Sequence, residues 1–172
     1  MNNIQNMHNI PNSENPQNPK NTVSSENTAY SGTAAGSLLS SDLKIHHIGY
    51  LVKKMEDAIH AFRCLGYTVR QETAYDGIRR IHICFMEKDG YLIELVSPAE
   101  SDSLVSGLLK KYKNSPYHIC YETQDLDKEL ALLTAGGYTA IDTPTPAPAL
   151  NGRRVVFLMN PFLGMIELLE HN

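Results

Sequence analysis

From residue 45 onward, the chain contains the same pattern of residues twice. His47 and His118 stand 71 residues apart, and the residues around them match. The matched segments are 47–50 with 118–121, 66–68 with 137–139, and 93–95 with 166–168. A repeat of this length predicts one small structural unit built twice, with a pseudo-twofold arrangement of the two copies.

The first copy has the hydrophobic spacing of a strand, a helix and three further strands. Residues 45–52 predict a strand, and apolar residues then recur at helical spacing until Gly66 ends the helix. Residues 67–70 predict a second strand. Residues 79–86 and 91–96 predict a hairpin, because a turn sequence separates two apolar runs.

The second copy follows the same order. Residues 117–121 predict a strand, Asp125 is suited to begin a helix as its N-cap, and Gly136 is suited to end it. The remaining strands are predicted at residues 138–141, 153–159 and 165–169. Both copies therefore predict the order βαβββ.

These patterns divide the chain into a tail and one domain. Residues 1–42 are rich in Asn, Ser and Pro and cannot bury enough apolar surface to offset the entropy of ordering, so we predict a disordered low-complexity tail. Residues 43–172 are predicted to form one α+β domain. Its two modules are residues 45–97 and 116–170, and residues 98–115 form a linker that contains a helix.

Charge and cysteine content exclude several classes of partner. The net charge is −4 and no basic stripe is present, so nucleic acid is not expected as a partner. No run reaches the roughly 20 apolar residues that span a bilayer, so no membrane association is expected. The three cysteines are an odd number and widely spaced, which favours a reducing compartment. The expected location is the cytoplasm.

Four polar residues occupy matched positions in the repeat. Glu94 and Glu167 each lie within an apolar strand, where a buried carboxylate without a partner costs several kcal/mol, roughly. Two copies of a His/Glu pair facing one concave surface would place two imidazoles and two carboxylates around one point. His47, Glu94, His118 and Glu167 are therefore predicted to bind one divalent metal ion, for which Zn, Ni, Co, Mn and Fe all remain open.

Two other histidines lie near these positions. Any single histidine on a strand is more often structural or solvated than a ligand, and only the duplication raises the odds for the four. His46 precedes His47 and is expected to point under the helix or outward. His82 lies in a predicted strand that faces the same region, and it is expected to be able to reach the concave surface.

Residues 45–170 resemble the vicinal oxygen chelate superfamily, which includes glyoxalase and methylmalonyl-CoA epimerase. The motifs that carry the resemblance are residues 47–49, 91–95, 118–119 and 165–168. The resemblance implies two βαβββ modules that form an open, metal-lined barrel, with His47, Glu94, His118 and Glu167 as ligands. A glutamate at position 94 is similar to the glyoxalases, whereas the linker and residues 151–158 are similar to the epimerases.

The resemblance also implies roles for particular residues. Epimerases use two carboxylate bases, of which one would be Glu167, but residues 79–82 contain no carboxylate where the second belongs. A two-base epimerisation of the usual kind is therefore in question. His82 is the candidate replacement as acid or base, because its pKa lies near neutrality. Arg80 is the candidate for binding an anionic group of the substrate. The alternative is that its side chain faces outward on the surface.

The function expected from these residues is metal-dependent isomerase or lyase chemistry. The enzyme would form an enolate from a small acyl-thioester or α-keto substrate, with Glu167 as the base. The alternatives are an iron dioxygenase and a non-catalytic binding or resistance protein on the same fold. The expected partners are a small-molecule substrate and, in one arrangement, a second copy of the chain in a homodimer.

Overall fold

The computed structural model describes residues 43–172. The predicted tail, residues 1–42, lies outside the described residues. The described part begins one residue before the first strand, so it contains the whole region in which the repeat was found.

The first module contains five elements in the predicted order βαβββ. They are β1 (Lys44–Leu51), α1 (Met55–Cys64), β2 (Thr68–Asp76), β3 (Ile81–Lys88) and β4 (Tyr91–Pro98). The second strand extends six residues beyond the predicted 67–70, because it pairs with β3 as far as Asp76. The predicted hairpin is confirmed, with residues 89 and 90 as its turn.

The linker is followed by the second module, which has the same plan except that its second strand is interrupted. They comprise α2 (Ser106–Tyr112), β5 (Ser115–Thr123), α3 (Leu126–Ala135), β6 (Thr139–Ala140), β7 (Thr145–Pro146), β8 (Arg154–Asn160) and β9 (Gly164–Glu170). The single strand predicted at residues 138–141 is shorter, and β7 was not predicted. Prolines at 144, 146 and 148 remove backbone donors there, which limits how far a strand can continue.

The strands form one curved, open sheet whose order reflects the repeat. The order is β2-β3-β4-β1-β5-β9-β8-β6, with β7 also paired to β8. Strands β1 and β5, the first of each module, pair antiparallel at the centre. Each then pairs in parallel with the last strand of its own module, β4 or β9. The predicted α+β class and glyoxalase-like architecture are confirmed.

Alternation along the central strands separates two environments. Ile48 and Tyr50 of β1 face α1 and pack with a buried cluster there, and Tyr121 of β5 packs against the cluster under α3. Side chains of opposite parity, such as Leu51 and Cys120, face the concave side. Successive strand residues point to opposite faces, so His47 and His118 also face the concave side. We call this concave face of the sheet the cup.

The two long helices begin differently. Asp125 precedes α3, and its side chain accepts a hydrogen bond from the backbone N–H of Lys128 at 3.0 Å, which confirms the predicted N-cap. Lys54 holds the same position before α1, and no side chain caps that helix.

Candidate metal centre

Four side chains converge at the centre of the cup. Nε2 of His47 and Nε2 of His118 lie 3.2 Å apart. Glu167 Oε2 lies 3.3 Å from the first of these nitrogens and 3.4 Å from the second, whereas Glu94 Oε2 lies at 3.4 and 3.8 Å. All four residues are at least 95% buried.

The strand register places these side chains at one level. Gly49 of β1 is opposite His118 of β5 and, on its other side, opposite Glu94 of β4. In the same way, Cys120 is opposite His47 and Glu167. The two histidines therefore come from the central strand pair, β1 and β5. The two glutamates come from the strands that flank this pair, β4 and β9.

The absence of a side chain at Gly49 makes this arrangement possible. A Cβ atom at Gly49 would lie 2.0 Å from Cε1 and 2.2 Å from Nδ1 of His118, inside any permitted contact distance. The His118 ring therefore occupies the space that any other residue at 49 would need.

Two phenylalanines form matched walls beside the imidazoles. Phe85 is the cross-strand neighbour of Glu94, and Phe157 is the neighbour of Glu167. Their rings meet His47 and His118 edge to face, with centroids 5.3 and 5.2 Å apart. These apolar walls lower the local dielectric and restrict the orientation of each imidazole.

The carboxylates dominate the electrostatics of the cup. Burial alone lowers the pKa of His47, but the nearby negative charges of Glu94 and Glu167 outweigh it and raise the pKa to about 9. Burial likewise raises the pKa of Glu167, yet contacts with His118 and His47 hold it well below its ordinary value. In the metal-free protein, His47 is therefore a positively charged imidazolium at neutral pH.

The donor set fits a first-row divalent cation. At tetrahedral metal–nitrogen and metal–oxygen distances of about 2.0–2.2 Å, ligand atoms stand about 3.3–3.6 Å apart. Of the five separations that involve a histidine nitrogen, four lie within 0.1 Å of that range and the fifth is 3.8 Å. The donor atoms of His47, Glu94 and His118 all lie within 4.8 Å of one another. Glu167 Oε2 is buried and has no hydrogen-bond partner among the described residues. A cavity of about 20 Å³, which Glu94 and Glu167 line, has room for one water-sized occupant.

His46 does not point under the helix or away from the domain, so that expectation is wrong. Its Nδ1 lies 2.8 Å from Nδ1 of His47. The pairing of β1 with β5 is irregular between Ile45 and His47, and such a bulge re-aims the inserted side chain. Burial, followed by the charges of His47 and Arg153, lowers the pKa of His46.

Arg80 and His82 lie away from the four side chains. Arg80 forms an ion pair with Asp102 on the surface, where the arginine side chain is 39% exposed. His82 points to the opposite face of β3 from Ile81 and Ile83, because neighbouring residues on a strand alternate, and its ring lies 5.6 Å from Tyr75. Their substrate and acid–base roles stay predictions, and these positions give neither residue a direct contact with the cup.

Arg79, not Arg80, turns inward. Asp76 Oδ1 accepts hydrogen bonds from the backbone N–H groups of Ile78 and Arg79, which forms a tight turn. Arg79 is 8% exposed, and its guanidinium donates to Asp76 at 2.8 Å and to the carbonyl of Pro146 at 3.1 Å. The turn thus directs one arginine into the domain and the next one out.

A larger apolar cavity adjoins the cup. Its volume is about 240 Å³, and its apolar lining includes Leu104, Val105, Leu108, Ile141 and Met165. The four residues that line both this cavity and the small one are Arg79, Ile81, Tyr117 and Phe157. Burial, and then the charges of Glu94 and Glu167, raise the pKa of Tyr117 well above its usual value, so its hydroxyl keeps its proton.

Sequence reasoning missed several residues of the site. The hairpin registers could have located Phe85 and Phe157, because each lies directly across from a predicted ligand. No sequence signal locates His46, whose direction depends on an irregular pairing, or Arg79, whose direction depends on a turn.

Comparison with known proteins agrees with the fold. The Glyoxalase/Bleomycin resistance protein/Dioxygenase superfamily pattern matches residues 46–157. The chain belongs to this superfamily, and the resemblance found in the sequence is confirmed.

Individual relatives are distant. YqjC of Bacillus subtilis (strain 168) is 26% identical over 117 residues, which cover 67% of this chain and 81% of YqjC. The methylmalonyl-CoA epimerase of Mycobacterium tuberculosis has a TM-score of 0.67 at 22% identity, covering 78% of this chain and 93% of its own. A variant of the Streptomyces coelicolor methylmalonyl-CoA epimerase, in complex with 2-nitronate-propionyl-CoA, has a TM-score of 0.65 at 21% identity, covering 76% and 95%. These structural likenesses establish the fold.

Within residues 43–172, none of the helices has the length and apolar character needed to cross a bilayer.

Proposed function

We propose that the protein is a metal-dependent isomerase or lyase that forms an enolate from a small acyl-thioester or α-keto substrate. The observation that carries the proposal is the convergence of two imidazoles and two carboxylates beside an apolar cavity. Two of its structural relatives are methylmalonyl-CoA epimerases, one of them solved with 2-nitronate-propionyl-CoA. Enolate chemistry on an acyl-thioester is therefore the first reaction class to test.

His47, Glu94, His118 and Glu167 are the residues that would hold the ion. A divalent cation at this position supplies Lewis-acid stabilisation of an enolate oxyanion, a contribution of several kcal/mol, roughly. Phe85 and Phe157 exclude water from the two imidazoles.

Glu167 is the proposed base. Contacts with His118 and His47 hold its pKa well below the ordinary value and so keep it ionised, and as the base it would take the proton from the carbon beside the substrate carbonyl. Tyr117 lines both cavities and keeps its hydroxyl proton, so it is placed to donate a hydrogen bond to a substrate oxygen. Arg79 lines the same two cavities, but Asp76 already neutralises it.

The larger cavity supports a substrate with an apolar group. Leu104, Leu108, Ile141 and Met165 would contact an alkyl or acyl chain, and Asp142 is the acidic residue of that lining. Burial raises the pKa of Asp142.

The number of carboxylates favours this reading over the iron dioxygenase. The usual iron site of that class has two histidines and one carboxylate. Here Glu94 and Glu167 both lie within 3.4 Å of His47, so a second carboxylate occupies a position that an oxygenase leaves open. A non-catalytic binding protein would have no need for four buried ligand groups at metal-like spacing.

The proposal is tested by proton–deuterium exchange. The protein is loaded with Co²⁺ and incubated in D₂O with a panel of acyl-thioesters and α-keto hemithioacetals, and loss of the α-proton signal is followed by NMR. Glu167→Gln is expected to lower the exchange rate by about 10²–10⁴-fold on any substrate that the wild type turns over.

Glu170→Gln is the matched control. Glu170 lies on the same strand three residues on, where it pairs with Arg154 outside the cup. The control is expected to exchange at the wild-type rate. Equal rates in the Glu167 variant and the wild type would remove the base assignment, and no exchange with any substrate of the panel would remove the proposed reaction class.

A further inference from the structure

His46 lies where a second shell of a metal site belongs. Histidine ligands ordinarily donate their other ring N–H to an acceptor, which fixes both the tautomer and the orientation of the ring. For His47, which presents Nε2 to the centre, the other nitrogen is Nδ1. Nδ1 of His46 is 2.8 Å from that atom, well within hydrogen-bond distance.

Only one proton can lie between these two nitrogens. When Nε2 of His47 is free to bind a metal, the single proton of that neutral ring is on Nδ1. His47 is then the donor and Nδ1 of His46 the acceptor, so a ring proton of His46 would lie on its own Nε2. With a metal on Nε2 of His47, the 2.8 Å contact would therefore fix the tautomers of both rings.

Arg153 touches the far side of His46. Its Nη2 is 3.3 Å from Nε2 of His46, and its Nη1 forms an ion pair with Glu122. A guanidinium can only donate, so this contact is a hydrogen bond when Nε2 of His46 carries no proton, and it would be lost in the tautomer described above. The ion pair with Glu122 holds Arg153 in place independently of His46.

The second module has no counterpart to this contact. Tyr117 occupies the position before His118 that His46 occupies before His47, and it meets the His118 ring edge to face at 4.4 Å. Nδ1 of His118 is buried without a hydrogen-bond partner among residues 43–172. Support through a second imidazole is therefore specific to the first module.

We propose that His46 is a positioning residue for the metal centre, which accepts the Nδ1 proton of His47 and so presents Nε2 of His47 to the ion. The inference rests on the metal site proposed above, but it does not depend on which reaction the protein catalyses. It assigns a role to a residue that sequence reasoning placed outside the site.

Two nearly isosteric substitutions test this role. His46→Asn places a carboxamide oxygen at the same number of bonds from Cα as Nδ1, so the acceptor is kept. His46→Leu has the same branching but no acceptor. The affinity for Co²⁺ is measured by competition with a chelator. It is expected to fall about 10–100-fold for the leucine variant and to stay within about threefold of the wild type for the asparagine variant.

A third measurement separates failure of this inference from failure of the site. His118→Ala, or Glu94→Gln if the first variant does not fold by circular dichroism, should lose most of its affinity for Co²⁺. If these variants bind Co²⁺ as the wild type does, the four-residue site is wrong. If they lose binding while the leucine and asparagine variants at 46 behave alike, the site stands and the role of His46 is refuted.

Discussion

His47 and His118 occupy equivalent positions in the repeat, yet their surroundings differ on both sides. His47 has a second imidazole at its outer nitrogen and Cys120 opposite it, whereas His118 has Tyr117 beside it and Gly49 opposite. The donor atoms and the phenylalanine walls are nearly symmetric, whereas the residues that contact the outer side of each imidazole differ. Duplication thus preserves the positions of the donor atoms, and each module holds its own imidazole by a different means.

Gly49→Ala should reveal the largest difference between the surroundings of His47 and those of His118. The new methyl group would overlap the His118 ring at 2.0 Å, so either the ring or the central strand pair must move. We expect the free energy of unfolding to fall by about 3 kcal/mol and the affinity for Co²⁺ to fall with it. Urea unfolding and chelator competition measure the two effects.

Gly107→Ala is the control for this substitution. A Cβ at Gly107 meets no atom within 4 Å, and the residue lies in α2. The control should be neutral or more stable by up to about 1 kcal/mol, because alanine favours the helix. Equal behaviour of the two alanine variants would show that the contact between Gly49 and His118 is unimportant.

The pH dependence of metal binding tests the proton that His47 carries. Because Glu94 and Glu167 outweigh burial and raise the pKa of His47 to about 9, the ion must displace a proton at neutral pH. The affinity for Co²⁺ is therefore expected to fall on the order of 100-fold between pH 8.5 and pH 6.5. Titrations at several pH values check this, and an affinity that is constant over the range would contradict it.

The stability of the metal-free protein should fall as the pH rises, whereas its affinity for Co²⁺ should increase. A folded-state pKa raised from 6.5 to about 9 stabilises the protein fully below pH 6.5, and this stabilisation is lost as the pH rises through 9. The chelated protein should be more stable at pH 6.5 than at pH 9.5, by on the order of 3 kcal/mol. In His47→Gln this difference should shrink, because the glutamine does not titrate.

The two phenylalanine walls should contribute similar, smaller amounts. Phe85→Leu and Phe157→Leu each remove one edge-to-face contact with an imidazole, and each is expected to lower the free energy of unfolding by about 1 kcal/mol. Phe85 is the more buried of the two, so its substitution should cost somewhat more. Urea unfolding of both variants tests whether the walls are equivalent.

The helix caps give the smallest expected difference between the modules. Asp125→Ala removes a capping hydrogen bond from α3 and should cost about 1 kcal/mol. Lys54→Ser would supply a cap to α1, where none exists, and should add about 0.5–1 kcal/mol. A thermal unfolding scan measures both, and a destabilised Lys54→Ser would contradict the comparison.

The repeat made the architecture and the convergence of the four candidate side chains predictable from sequence. Matched positions gave the order of strands and helices, and parity on β1 and β5 gave the faces of His47 and His118. Local irregularities were not predictable, because they depend on pairing between distant segments. A bulge turns His46 toward His47, and the turn at Asp76 sends Arg79 inward.

The register of the antiparallel pairing between β1 and β5 determines whether the four-residue site can form. A slip of one residue along this seam would move Ile48 and Ile119 into the cup and turn both imidazoles toward the helices. The register that buries the helix-facing residues is thus also the register that brings the four candidate side chains together. Each module supplies one histidine and one glutamate to the four-residue site. An ion that requires all four could therefore be held only by a chain whose two modules have paired in the correct register.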